Sequence, residues 1–150
     1  MKDEGGTIGD AFRFMTEIGI IAQLSGNAME KALPDGMTMA QFGVLNHLAR
    51  LGGGWSPLRL ANAMQVTKGA MTHTIRYLSE KGHVAVGPDA RDGRAKLVTI
   101  TPKGLAAREA AVAAMAPEID ALVKAVSPEL IAQTIPALEK VRRYLDERRA

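Results

Sequence analysis

Residues 56–104 read SPLRLANAMQVTKGAMTHTIRYLSEKGHVAVGPDARDGRAKLVTITPKG, and the apolar pattern changes period inside this stretch. Ser56-Pro57 is an N-cap followed by proline at the first helical position, which predicts a short helix from Pro57 to about Met64. Val66-Thr67 interrupts it. Thr67 caps a second helix running to about Lys81, with Gly82 as its natural C′ residue. Leu60, Ala63, Ala70, Ile75 and Leu78 are spaced to pack the two helices together, a helix-turn-helix pattern. After Gly82 the period becomes two. Val84 and Val86 alternate, Pro88 to Ala95 forms a polar, charged tip, and Leu97-Val98-Thr99-Ile100 resumes a β-rich run with Val98 and Ile100 on one face. That is a β-hairpin with a long basic tip.

Upstream, Thr38-Met39-Ala40-Gln41 has the form of a capping box, with Met37 and Phe42 at the staple positions. It opens a helix with Phe42, Leu45, Leu48 and Ala49 on one face, ending before Gly52-Gly53-Gly54. From Thr7 to Leu33 apolar residues recur at nearly helical spacing, up to the turn Pro34-Asp35-Gly36. Downstream, Thr101-Pro102 caps a long Ala-rich helix, expected to be disturbed at Pro117. Ser127-Pro128-Glu129 starts a last helix with Leu130, Thr134, Leu138, Val141 and Leu145 on one stripe and an expected kink at Pro136. The order helix, helix-turn-helix, hairpin is a winged helix. The fold expected is mainly α with a small β-wing: a winged helix-turn-helix at 37–104, flanked by helices in 1–36 and 105–150. No internal repeat or low-complexity linker interrupts it.

Composition narrows the function classes. A chain of 150 residues is one domain or a compact two-lobed unit. An apolar fraction of 47% with 23% charged is a globular mix, and 24 alanines with only 4% aromatics favour helix. The absence of cysteine removes disulfides, thiolate zinc sites, thiol nucleophiles and oxidation switches. The start MKDEGGTIGD is acidic without an apolar core, and no apolar run approaches the roughly 18 residues of a membrane span. A cytoplasmic protein with no membrane partner is expected. Gly52-Gly53-Gly54 is followed by Trp55-Ser56-Pro57 rather than by the Gly-Lys-Ser/Thr of a phosphate loop. There is no Gly-x-Ser-x-Gly, no His-Glu-x-x-His and no paired acidic motif, so the chain is not expected to be an enzyme. His47 and His83 have no partner at metal-ligand spacing, so neither a metal nor another cofactor is expected. Charge is uneven. Residues 55–104 carry eight basic and three acidic side chains, net +5, whereas 1–54 carry −2 and 105–150 carry 0. A basic block within a neutral scaffold is the footprint of nucleic-acid binding, although a solvated basic face would look similar.

From Met37 to Gly104 the chain resembles the MarR family of bacterial transcription regulators. The resemblance is carried by Gln41-Phe42-Gly43-Val44-Leu45, by Leu60-Ala61, and by Thr67-Lys68-Gly69-Ala70-Met71-Thr72. It continues through Leu78-Ser79-Glu80-Lys81-Gly82 and the wing run Asp89-Ala90-Arg91-Asp92-Gly93-Arg94-Ala95-Lys96 to Leu97-Val98-Thr99-Ile100-Thr101-Pro102-Lys103-Gly104. The D-x-R-D-x-R wing followed by a strand and T-x-x-G is the specific part. The resemblance implies a homodimer, joined through the terminal helices, that binds double-stranded DNA as a ligand-responsive repressor. Physics points the same way for the dimer, because the apolar stripes of the first and last helices exceed what one small winged helix can cover. A twofold dimer presents two reading helices to successive major grooves and so predicts a pseudo-palindromic operator.

Roles follow residue by residue. On the reading helix, about 67–81, Lys68, Met71, Thr72, His73 and Arg76 are assigned to the outward face that would enter the major groove. Met71 fits a core position equally well, and His73 could be a plain surface histidine. In the wing, about 84–100, Arg94 suits insertion into a narrow minor groove. Asp92 is expected to pair with that guanidinium, and Arg91 and Lys96 to meet phosphates. Ser56 and Thr67, at helix starts, complete the expected DNA-contact set. The resemblance also implies a small aromatic or phenolic anion as effector, with His47, Arg50 and Trp55 as its candidate site. Trp55 is equally suited to anchoring the first wing strand. The alternative function is a winged-helix protein-interaction module without sequence-specific DNA binding, which would have no use for a wing of Arg91, Arg94 and Lys96 around Asp92.

Overall fold

The computed structural model describes residues 6–34 and 36–149. The elements are α1 (Thr7–Ala32), α2 (Met39–Leu51), α3 (Pro57–Met64), α4 (Lys68–Glu80), β1 (Val84–Pro88), β2 (Lys96–Ile100), α5 (Pro102–Val126) and α6 (Pro128–Glu147). The chain forms two compact units, Met1–Ala114 and Met115–Ala150. The start read as lacking a secretory core includes Met1–Gly5, and the turn before α2 includes Asp35; these residues lie outside those described.

The predicted caps are in place. The Thr38 hydroxyl accepts the Gln41 backbone N–H at 3.2 Å, and the Gln41 side chain accepts the Thr38 N–H at 3.2 Å. Gln41 is therefore buried with its side-chain oxygen engaged. Ser56 accepts the Arg59 N–H at 3.1 Å, and Thr67 accepts the Ala70 N–H at 3.1 Å. Each cap relieves an unsatisfied donor at a helix start, worth about 1 kcal/mol. Between α3 and α4 the chain turns on Gln65, a non-glycine residue at φ 55°.

The core of the first unit is drawn from every part of the winged helix: Val44, Leu45 and Leu48 of α2, Leu60 and Ala61 of α3, Met71, Ile75 and Leu78 of α4, Val84 of β1 and Val98 of β2. Two expected faces are rotated. On α2, Val44 joins Leu45 and Leu48, while Phe42 and Ala49 are only half-buried. On the helix pair, Ala61 and Met71 occupy the seam, while Ala63 is half-buried and Ala70 is exposed.

The hairpin is antiparallel, with Val84 opposite Ile100, Val86 opposite Val98 and Pro88 opposite Lys96. A third, one-residue strand completes it: Trp55 and Val98 exchange backbone hydrogen bonds of 3.0 and 2.8 Å. The wing base is thereby fastened to the start of α3. At the open end of the hairpin, the Thr101 hydroxyl donates to the Gly82 carbonyl at 2.6 Å and accepts the Gly104 N–H at 3.0 Å. The start of α5 approaches β1 so closely that a Cβ on Gly104 would overlap the His83 carbonyl.

Helix α5 runs unbroken through Pro117 and α6 through Pro136. The expected disturbance and kink do not end either helix, because flanking turns with good helix formers carry the one missing donor. The break falls at Ser127, as its Ser-Pro-Glu start predicts; it sits at φ 102°, and its hydroxyl caps α6 by accepting the Leu130 N–H at 3.2 Å. Helix α1 buries none of its residues; Ile8 and Phe12 are 72% and 75% exposed. Helix α6 likewise buries none. No helix among the described residues is long and apolar enough to cross a membrane.

The Gly104 approach makes a sharp prediction. Gly104→Ala forces a Cβ against backbone that cannot rotate away, so it is expected to cost about 3 kcal/mol or more. Urea unfolding of the full chain, read by far-UV circular dichroism, checks this. A change below 1 kcal/mol would show that α5 can move off the strand without loss.

Candidate nucleic-acid interface

Helix α4 turns Met71, Ile75 and Leu78 inward, which fixes what it turns outward. Lys68, Thr72, His73 and Arg76 are exposed along one side. Met71 is 2% exposed and belongs to the core, which corrects its assignment to the DNA-contact set. The reason is helical geometry: Met71 lies four and seven residues before Ile75 and Leu78, on their stripe. Thr67, expected to touch DNA, spends its acceptor on the Ala70 N–H, and Ser56 on that of Arg59. Each hydroxyl keeps its own proton to donate.

Between α4 and the wing lies an open groove of about 490 Å³, lined by Pro57, Thr72, Arg76, Glu80, Val86 and Lys96 among others. Three elements thus meet around one concavity: the first turn of α3, the outer face of α4 and the strands of the wing. The wing tip is ordered by its acids. Asp89 accepts the Arg91 backbone N–H at 2.9 Å, and Asp92 accepts that of Arg94 at 3.1 Å. Asp92 therefore does not hold the Arg94 guanidinium as expected; it shapes the tip backbone as an Asx turn. The consequence is electrostatic. Arg91, Arg94 and Lys96 are exposed, and none of them, nor Lys68 or Arg76, has an ion-pair partner among the described residues. No acidic residue occurs between Asp35 and Glu80.

The candidate effector residues do come together, with one addition. The His47 ring meets Trp55 edge-on, 4.3 Å between centroids. The Arg59 guanidinium lies 4.2 Å over the Trp55 ring. The indole N–H donates to the Gly52 carbonyl at 3.0 Å, which gives the triple-glycine loop a fixed end. Trp55 also packs against the core, so the anchoring role considered for it is realised. Arg59 entered the sequence reading only as one of the eight basic residues of 55–104. Its spacing of four from Trp55 within the first turn of α3 was the available signal.

Burial lowers the proton affinity of His47, and the nearby Arg50 and Arg59 lower it further. His83 is shifted the same way by burial, then by Lys103 and Lys81. His47 Nε2 and His83 Nδ1 are buried without a hydrogen-bond partner.

Residues 35–95 match the MarR family. Over 72 residues the chain is 40% identical to the transcriptional activatory protein BadR of Rhodopseudomonas palustris, a stretch covering 47% of this chain and 41% of that protein. The match thus spans less than half the length of that relative. The structure superposes on a mutant MarR from E. coli complexed with operator DNA with a TM-score of 0.73 at 26% identity, covering 90% of this chain and 97% of the other. It superposes on the transcriptional regulator BldR from Sulfolobus solfataricus with a TM-score of 0.82 at 24% identity, covering 92% and 98%, a likeness of fold.

The two histidines carry a pH prediction. A native state that holds an imidazole below its ordinary value of about 6.5 binds fewer protons than the unfolded chain, so stability is full above that value and falls as pH falls through it. Melting temperatures at pH 7.5, 6.5 and 5.5 and constant ionic strength are expected to decline. The double variant His47→Gln with His83→Gln is expected to flatten the decline. An equal decline in the variant would assign it to other groups.

Proposed function

We propose that this chain, whose residues 35–95 match the MarR family, is a sequence-specific DNA-binding transcription regulator acting as a homodimer on a pseudo-palindromic operator. The observation that carries this function is the set of unpaired cations, Lys68, Arg76, Arg94 and Lys96, on the two elements that border one groove. In this arrangement α4 enters the major groove. Lys68 and Arg76 donate to guanine acceptors or phosphate, and Thr72 and His73 reach base edges. The wing follows the backbone to the adjacent minor groove, where Arg94 meets the enhanced negative potential of a narrow stretch. Arg91, Lys96 and the hydroxyls of Ser56 and Thr67 hold phosphates, which fixes register without reading sequence.

The apolar surface left on α1, and separately that on α6, supports the dimer, with residues 1–36 and 105–150 supplying it. Ile8, Phe12, Ile21 and Leu24 of α1 and Leu130, Ile135, Leu138 and Leu145 of α6 are all exposed. Apolar surface of that extent is seldom left to water. The protein acts in the cytoplasm as a ligand-responsive repressor, blocking a promoter until a small aromatic or phenolic anion releases it. The Trp55 ring set between the His47 imidazole and the Arg59 guanidinium, with Arg50 near that imidazole, supports that class of effector. The relative BadR is named as an activator, so a reporter with the operator upstream of or across the promoter separates the two signs of control.

Two outcomes are expected. Arg94→Ala lowers affinity for a duplex selected from a randomised pool by about tenfold to a hundredfold at near-physiological salt, the range of one good groove contact, without changing the melting temperature. Unchanged anisotropy titrations would remove the wing from the interface. Deleting the residues after Ser127 yields monomers or aggregates; a well-behaved dimer by light scattering would place the interface elsewhere.

A further inference from the structure

Helix α3 begins with the wrong charge. Helix N-termini carry a partial positive charge and favour acidic residues in the first turn. The first turn of α3 has no acid and places Arg59 there instead. The side chain is exposed, yet held: its guanidinium stacks on the Trp55 ring at 4.2 Å, and Trp55 is itself pinned to Val98 of the wing. Arg50, in the last turn of α2, adds a second cation close enough to act on His47. Neither arginine has an ion-pair partner among the described residues, and the sequence offers no acid between Asp35 and Glu80. Both guanidinium groups act on His47, one from the end of α2 and one from the start of α3, and with no counter-charge nearby they favour an anionic partner.

The position of this patch names the partner. Pro57, the first residue of α3, forms a wall of the groove shared with Thr72 and Arg76 of α4 and Lys96 of the wing. The turn that carries Arg59 therefore borders the face assigned to DNA. We propose that Arg59, braced on Trp55 and with Arg50 near the adjoining His47, is a DNA-backbone contact that binds a phosphate beyond the stretch held by α4 and the wing. This rests on the regulator function proposed above. Stacking on an indole leaves the edge of the guanidinium plane free, which is the part that pairs with phosphate oxygens two at a time. A side chain already ordered by its aromatic support loses less freedom on binding than a free surface arginine. An aromatic anion bound in the same cluster would compete with that phosphate.

The test compares wild type, Arg59→Gln and Arg59→Lys in the full chain, on a duplex selected by the wild type and on a random duplex of equal length. Arg59→Gln is expected to reduce the slope of log affinity against log salt by about one, to weaken both duplexes by the same factor, and to leave the selected motif unchanged. Arg59→Lys keeps the charge and is expected to keep the slope. Trp55 is the single tryptophan of the chain, so its emission reports on the stacked guanidinium without any substitution. Duplex is expected to change that emission in the wild type and not in Arg59→Gln.

A normal slope in a folded Arg59→Gln protein overturns the proposal. So does a wild-type emission that answers millimolar inorganic phosphate but not duplex, which would mark a small-anion site instead. Binding of the wild type to both duplexes without preference sinks the sequence-specific regulator, while the slope difference still decides Arg59. A wild type that binds neither duplex overturns both.

Discussion

Everything in the winged helix hangs on one shared core. Leu45 and Leu48 from α2, Leu60 from α3, Leu78 from α4 and Val98 from β2 are each less than 2% exposed, and they meet in a single cluster. Burying each such side chain stabilises the fold by about 1.5–3 kcal/mol. Because α4 spends Met71, Ile75 and Leu78 on that core, its opposite face cannot be buried, and Lys68, Thr72, His73 and Arg76 are held outward. Because Val98 belongs to the same core and pairs with Trp55, the wing starts from a fixed point beside α3. Reading helix and wing are thus positioned by one packing event, as a site on rigid elements requires.

Fold stability alone gives no reason for this charge distribution. The cations of the groove and the wing tip form no ion pairs among the described residues, although Glu80 also lines the groove, and the two aspartates of the tip cap backbone N–H groups. An acid used in this way leaves the guanidinium of its neighbour free, so the tip gains order without losing positive potential. Surface ion pairs contribute little to stability in any case, so forgoing them costs the fold little. What remains is a strip of unbalanced charge across α3, α4 and the wing, on the elements that a duplex would have to meet.

The closed contact at the start of α5 has a different purpose. Thr101 joins the carbonyl of Gly82 to the N–H of Gly104, and only a residue without a Cβ lets the helix come that near to His83. The hairpin is therefore fastened at Val98 by Trp55 and at its open end by Thr101, and its charged tip stands clear. Apolar surface on α1 and on α6 lies outside this arrangement, and it marks where the chain has yet to bury what its sequence put there.

The sequence alone determined every element and nearly every boundary, because capping boxes, proline at a first helical position and a change of period from helix to strand act over a few residues. Ser56, Thr67 and Ser127 were legible as caps, and Lys68, Thr72, Arg76, Arg91, Arg94 and Lys96 as exposed, from local pattern and charge. Tertiary structure decided the rest. Met71 went inward because the helix pair packs on the stripe it shares with Ile75 and Leu78, and Val44 displaced Phe42 for the same reason on α2. Asp92 turned to the backbone because a tight tip presents an N–H nearer to its carboxylate than the guanidinium. Arg59 emerged only once Trp55 had been paired to a residue 43 positions away, at Val98. Local rules choose elements. Which face, which partner and which charge stays unpaired are settled by packing between segments distant in the chain, where no pattern of neighbouring residues reaches.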